Sequence, residues 1–324
     1  MKTFCYPWLI VCVTSLMLWL PTTSRAQVVK IGNDVQVAEE LHIAQIDGAA
    51  GTNWFQSIFS SGEYVAEETY VAQGDVRRGE RSVRDITEHN TVLRLILTPA
   101  ISIGVLRIGF DWERFSFDMP AHSPLPDALQ APSFVLGLDT QFTDSIVARF
   151  EAKPGFYGTN NLETDSFNMP FIAGATYIYS PTLQFIAGVS VDVERNFPVI
   201  PAAGVRWKVH RQWVINGVLP TPRIEFAASD NATIYMGANI KQVGYRMEDD
   251  FGVNHGNPNL NNAILTYTEV RTGLGIDWKL APVITLSAEA GYQPYRAFDF
   301  HRADVTFRET GSAPYGMISF HSAF

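Results

Sequence analysis

Histidines are the first residues to examine for chemistry. There are seven, His42, His89, His122, His210, His255, His301 and His321, scattered along 324 residues. None is paired at metal-ligand spacing. The chain has no HExxH, no GxxxxGKS/T, no GxGxxG after a strand and no GxSxG. His321 adjoins Ser322, but neighbouring residues of a strand point to opposite faces and cannot act as nucleophile and base. The sequence therefore leads us to expect no catalytic residue, no metal and no cofactor. Glu248-Asp249-Asp250 offers carboxylate oxygens of the kind Ca²⁺ takes, although a solvated loop is the plainer reading. Arg77, Arg78, Arg81 and Arg84 form a basic cluster whose guanidinium groups match the phosphates of lipopolysaccharide, again with a solvated loop as the plainer reading.

A second set of charges has a strict pattern. Arg107, Asp111, Glu113, Arg149, Glu151, Lys153, Asp192, Glu194, Arg206, Lys208, Arg223, Glu225, Glu269, Arg271, Asp277, Lys279 and Glu289 alternate with apolar residues. Over Gly104–Arg114, Leu106, Ile108, Phe110 and Trp112 share one face, while Arg107, Asp111 and Glu113 share the other. The same period of two runs through Ile146–Phe156, Leu183–Glu194, Ala203–Val209, Glu269–Lys279 and Ile284–Gln293. It marks β-strands with one apolar and one polar face.

These segments are long. Many exceed ten residues, which suits strands crossing a bilayer at a tilt better than those of a soluble sandwich. Trp112, Trp207, Trp278, Tyr177, Tyr179 and Tyr292 stand near strand ends, where amphipathic rings match the headgroup level. Short turns fall at Pro99–Ile101, Phe142–Asp144, Ser180–Thr182, His210–Gln212, Ser229–Asn231 and Ala281–Pro282. Longer connections alternate with them at Gly74–Arg84, Asp118–Gln130, Gly158–Asn168, Met247–Asn262 and Phe300–Ala313, with two short ones at Arg195–Phe197 and Pro220–Pro222. Outer-membrane barrels have this asymmetry, with short turns inside and longer loops outside. The fold class is all-β, a transmembrane up-and-down antiparallel β-barrel. With both termini on the short-turn side it has 14 strands, from Glu63–Gln73 to Tyr315–Phe324. The alternative is 12, if Trp213–Leu219 and Arg223–Ala228 merge or if the first segment, with Glu67 and Glu68 adjacent, is no strand.

Residues 1–26 read as a secretory signal: Lys2, an apolar run from Trp8 to Leu20, and small residues in Ser24-Arg25-Ala26 before the cleavage point. Both cysteines, Cys5 and Cys12, lie within it, so no disulfide or thiol chemistry is expected after export. Residues 27–61 alternate poorly and form a periplasmic segment or a lumen plug; the barrel occupies 62–324. Lys+Arg number 24 against 33 Asp+Glu, a net charge of −9, which argues against holding nucleic-acid phosphates. Charged residues are only 18% of the chain, below the usual share of about 25% in soluble proteins.

Phe324 ends the chain with Phe320 and Ile318 on its face, and this resembles the C-terminal signal read by the outer-membrane assembly machinery. Ser322 departs from it. Pro154-Gly155-Phe156-Tyr157-Gly158, Pro201-Ala202-Ala203-Gly204-Val205-Arg206-Trp207, Leu219-Pro220-Thr221-Pro222-Arg223-Ile224-Glu225-Phe226 and Gly244-Tyr245-Arg246 together resemble a family of bacterial outer-membrane β-barrels of unknown function. That resemblance covers about Gly62 to Phe324. It implies a bacterial outer-membrane location, in contact with outer-membrane lipid, and brings no activity.

If the inner face is wet, its charges line an aqueous path, and the protein is a passive channel for small polar solutes. The rival is a closed structural or adhesion barrel whose lumen charges are locked in ion pairs. A soluble secreted sandwich is the third reading. The register makes one further claim: Arg at Ile108 or Leu286 should cost about 2–4 kcal/mol near the midplane, and Arg at Gly109 far less.

Overall fold

The computed structural model describes residues 61–120 and 123–324. Fourteen antiparallel strands close into a barrel. They are β1 (Gly62–Arg78), β2 (Arg81–Leu97), β3 (Gly104–Asp118), β4 (Ala128–Thr143), β5 (Ile146–Ala152, resuming at Gly155–Phe156), β6 (Phe167–Asn168, then Phe171–Ser180) and β7 (Leu183–Val191). The second half comprises β8 (Val199–Lys208), β9 (Trp213–Asn216), β10 (Arg223–Ala227), β11 (Ala232–Arg246), β12 (Ile264–Ala281), β13 (Ile284–Phe300) and β14 (Val305–Glu309, then Ala313–Ala323). β1 pairs with both β2 and β14, which closes the ring. At that seam Gly62 and Phe324 exchange backbone hydrogen bonds of 2.7 and 2.9 Å. Closure leaves no barrel edge for lipid to meet.

The two segments that threatened the count are separate strands, β9 and β10. The first segment is also a strand, with Glu67 buried inside and Glu68 exposed outside. Adjacent carboxylates of one strand point to opposite faces, so the pair does not break the alternation. The expected loop Gly74–Arg84 is mostly strand: β1 and β2 extend to Arg78 and Arg81, and Gly79 turns the chain at φ +57°. The region Phe300–Ala313 likewise contains the first piece of β14.

The apolar face points outward. Ile108, Phe110, Phe134, Leu136, Phe150, Phe185, Ile224, Met236, Leu274 and Ile318 are all exposed large side chains, while the charges alternating with them turn in. Tyr177, Tyr179, Trp207, Trp213 and Trp278 lie close to the short turns, and Trp112, Tyr292 and Tyr295 toward the other end. No helix among the described residues is long and apolar enough to cross a membrane. Gly109 corrects one expectation. A Cβ there would lie 2.1 Å from the Leu95 carbonyl oxygen, so arginine at this inward position is costly for backbone reasons and is no neutral control.

The barrel narrows toward its loop end. Beyond β5, Gly158 bridges Gln130 of β4 on one side and Arg246 of β11 on the other, and the Arg246 N–H donates to Tyr157 at 2.9 Å. Strands β6–β10 stop below this junction. At its level the ring closes through nine segments, β1–β4, the continuation of β5 to Gly158, and β11–β14. An apolar core fills that narrow part, built on Phe115, Phe117, Leu129, Tyr245, Tyr267, Phe298, Phe300 and Phe307 and capped by Leu125, Phe251 and Leu260 from the loops. A barrel of this girth is one that side chains can fill. No residue of β6–β10 belongs to the core.

β9 and β10 are so short that the upper halves of β8 and β11 have no strand between them. The link Gly217–Pro222 fills part of the space: Gly217 donates to Val205 at 2.8 Å, and Ala238 and Ile240 donate to Pro222 and Pro220 at 3.0 Å. Pro201, on the same edge of β8 as Val205, has no N–H to leave unpaired. The β7–β8 loop then reaches across to the far strands. Glu194 pairs with Arg246 at 3.1 Å, and the Asn196 N–H donates to Thr266 at 2.9 Å.

Candidate functional site: the charged lumen

The alternation that turns Ile108 and Phe110 outward turns Arg107 and Asp111 inward, where they meet charges from other strands. Arg107 holds Glu63 of β1 and, at 3.2 Å, Glu151 of β5. Asp111 accepts Arg94 of β2 at 3.0 Å and Lys153 at 3.1 Å. Deeper in the lumen Lys241 of β11 bridges Glu113 of β3 and, at 3.7 Å, Glu269 of β12. Arg271 lies 3.3 Å from Glu269 and 3.9 Å from Glu67, and donates to Thr69 at 2.7 Å. Gln293 and Asn90 add hydrogen bonds of 3.0 and 3.1 Å to Glu269 and Glu113. Beneath the apolar core, Arg296 pairs with Glu88 at 3.2 Å and Glu309 at 2.9 Å, and the Tyr267 hydroxyl donates to Glu88 at 2.7 Å.

The Arg107 trio is buried although it lies near the short turns, whereas the other charges at that end are only partly buried. Arg149 pairs with Asp139, Arg206 lies 3.8 Å from Glu225, and Asp277 accepts the Ser287 hydroxyl at 2.6 Å, all at partly exposed positions. Glu289 accepts the Tyr315 hydroxyl. The Arg223 guanidinium stacks on Tyr235, 4.3 Å from the ring centre. Lys208 and Lys279 are exposed at the mouth. A small polar cavity of about 20 Å³ lies among Glu67, Arg223, Asn239, Arg271 and Glu289, close to the space one water needs. The opposite wall is lined by small inward residues, Gly174, Gly188, Gly204 and Ala202.

Arg107, Asp111, Glu113, Glu151, Glu269 and Arg271 occupy inward positions of their strands and are paired there. Asp192 sits at the rim instead, accepting Asn168 at 2.8 Å and lying 3.7 Å from Arg195 of its own loop. Glu194 is not in the lumen at all: β7 ends at Val191, and the Glu194 carboxylate serves the loop contact with Arg246. Sequence reasoning missed Glu63, Glu67, Glu88, Arg94, Asp139, Lys241 and Arg296. Arg94 between Leu93 and Leu95, and Lys241 after Ile240, carried a signal of alternation. Glu88 did not, because its outward neighbours Thr87, His89 and Thr91 are polar too, and Arg296 did not, because a bulge between Tyr292 and Tyr295 shifts the register of its strand.

His321 and Ser322 face opposite sides, as expected of strand neighbours. On the outer face the Thr91 hydroxyl donates to Glu68 at 2.6 Å, and His89 lies 3.6 Å from the same carboxylate, so the hydroxyl is not hydrogen-bonded to the imidazole. In the acidic loop, Glu248 accepts Thr159 at 2.6 Å, which leaves Asp249 grouped with Glu163 and Asp165, their oxygens within 4.8 Å. Burial, then Asp249 and Asp165, push the Glu163 carboxyl above its usual range. His42, His122, the signal and residues 27–60 lie outside the described residues.

Several solved structures align with the chain over most of its length. The *Pseudomonas putida* toluene transporter TodX aligns over 82% of this chain and 90% of its own, at 7% identity and a TM-score of 0.39. The NanC porin aligns over 81% and 98%, at 11% identity and 0.35. *P. putida* OprB aligns over 83% and 95%, at 9% identity and 0.34. No curated protein matches the chain. Residues 108–313, well over half of the sequence, match the family described as Domain of unknown function (DUF6268), and the protein belongs to that family.

Proposed function

We propose that the protein is exported by its signal, inserted in the bacterial outer membrane with Phe324 as the assembly signal, and works there as a gated passive channel for small polar solutes. One observation carries this reading: charged and hydroxyl-bearing side chains crowd the inside of a wall whose outside is apolar. Beside the buried Arg107 trio, the half of the lumen nearest the short turns has partly exposed charges such as Arg149, Arg206 and Asp277, and small residues on the wall of Gly174, Gly188 and Gly204, which suits a hydrated vestibule. Buried polar groups such as the Asn216 amide and the Tyr245 hydroxyl have no protein partner, and such groups are ordinarily met by water.

The apolar core and the ion pairs close the described conformation at its loop end. Transport then requires the core around Phe117 and Phe298 to part. The same closure favours a second reading, a sealed barrel acting through its outer loops. Planar-bilayer recording of the purified protein separates them. The gated channel gives rare, brief openings in the wild type and frequent ones in a Phe117→Ser/Phe298→Ser variant. Silence of both, with no solute uptake into liposomes, leaves the sealed barrel. No catalytic step is assigned to any residue.

A further inference from the structure

Arginines gather at the tip of the β1–β2 hairpin and on the neighbouring strand β14. Arg77, Arg78, Arg81, Arg84 and Arg308 are all exposed. The ladders set like charges face to face: Arg78 is directly opposite Arg81, and Arg77 directly opposite Arg308. Like charges opposed across a ladder destabilise it unless something neutralises them. Among the described residues, no carboxylate forms an ion pair with any of the five. Nearby acids are used elsewhere. Asp75 accepts the Asp85 N–H at 3.0 Å, and Glu309 turns inward to Arg296 at 2.9 Å. Asp304 meets Arg78 through its backbone carbonyl, at 3.1 Å. Glu80 and Asp85 are exposed on the same hairpin, so counter-charge is present but unengaged. Arg77 is also anchored on a carbonyl, that of Gly79, through Nε. Two guanidinium groups are thus held by the backbone, and both side chains are exposed.

Guanidinium forks match phosphate oxygens. Their height selects the kind of phosphate. Tyr70 follows Glu68 on the outer face of β1, in the belt where that strand's outward side chains are aromatic and polar, beside His89 at a ring distance of 5.0 Å. Arg77 follows it by seven residues, on the order of 20 Å along the strand, which a barrel tilt of about 35–45° makes roughly 15 Å of height. A glycerophospholipid phosphate lies only a few ångströms beyond the hydrocarbon, since the headgroup layers add about 5–8 Å on each side. We propose that the patch docks phosphate groups on the saccharide headgroup of an outer-leaflet glycolipid. The inference rests on the membrane placement above, but not on conduction.

The test uses the full-length protein in phosphatidylcholine nanodiscs, with purified lipopolysaccharide, its dephosphorylated form and inorganic phosphate as probes. Lipopolysaccharide is expected to bind about tenfold more tightly than the dephosphorylated form, and the Arg77→Gln/Arg308→Gln variant to lose a similar factor with a shallower salt dependence. Arg77→Lys/Arg308→Lys, which keeps charge but not the fork, should fall between. Heat-modifiable gel mobility shows whether each variant is folded. Equal binding by wild type and the glutamine variant, or by both lipid forms, overturns the proposal. So does competition by inorganic phosphate at low millimolar concentration, which would make this a site for free phosphate.

Discussion

Arg107 and Glu151 stand 44 positions apart in sequence and meet at 3.2 Å inside the barrel. The second guanidinium branch holds Glu63, and all three side chains are buried. One cation thereby ties β1, β3 and β5 together. Arg107→Ala leaves two buried carboxylates without their partner, and is expected to destabilise the barrel by about 3–5 kcal/mol. Urea unfolding in lipid vesicles measures it. A loss below 1 kcal/mol, on the order of that of an exposed pair, would show that the trio is hydrated.

Adjacent residues of β8 test the membrane register. Ala203 faces outward and is exposed, while Ala202 faces the lumen opposite Gly188. Ala203→Arg should cost about 2–4 kcal/mol in a bilayer and Ala202→Arg much less. Equal costs in the same unfolding assay would refute the assignment of faces.

The apolar core at the loop end can be probed at Phe298. It is fully buried, with ring centres 5.2 Å from Phe117 and 5.1 Å from Tyr267. Phe298→Ala should destabilise by about 3–5 kcal/mol. A thermal melt followed by tryptophan fluorescence would report it, and an unchanged melt would mean that the core is not packed.

Gly244 supports the loop that crosses from β7 toward the far strands. A Cβ on it would lie 3.1 Å from the Glu194 backbone, so a larger side chain must push the loop away. Gly244→Leu is expected to weaken the Glu194–Arg246 pair and to speed tryptic cleavage after Arg195. Unchanged cleavage would place the loop elsewhere.

The sequence by itself determined the wall. Alternation assigned Ile108 and Phe110 to the outer face, and Arg107 and Asp111 to the interior, because strand geometry leaves each side chain only two directions. Turn chemistry and spacing were enough for 14 strands. Tertiary structure decided which charges meet, since the partner of Arg107 comes from β1 and β5, and no local pattern encodes strand stagger around a closed ring. It also decided that the lumen narrows. The bridge from Gly158 to Arg246 joins segments 88 positions apart and excludes five strands, and the aromatic residues filling the narrow end read in sequence simply as apolar positions at strand ends. Periodicity reports a side chain's face; whether that face meets water, a counter-charge or a packed core depends on what the opposite wall brings to it.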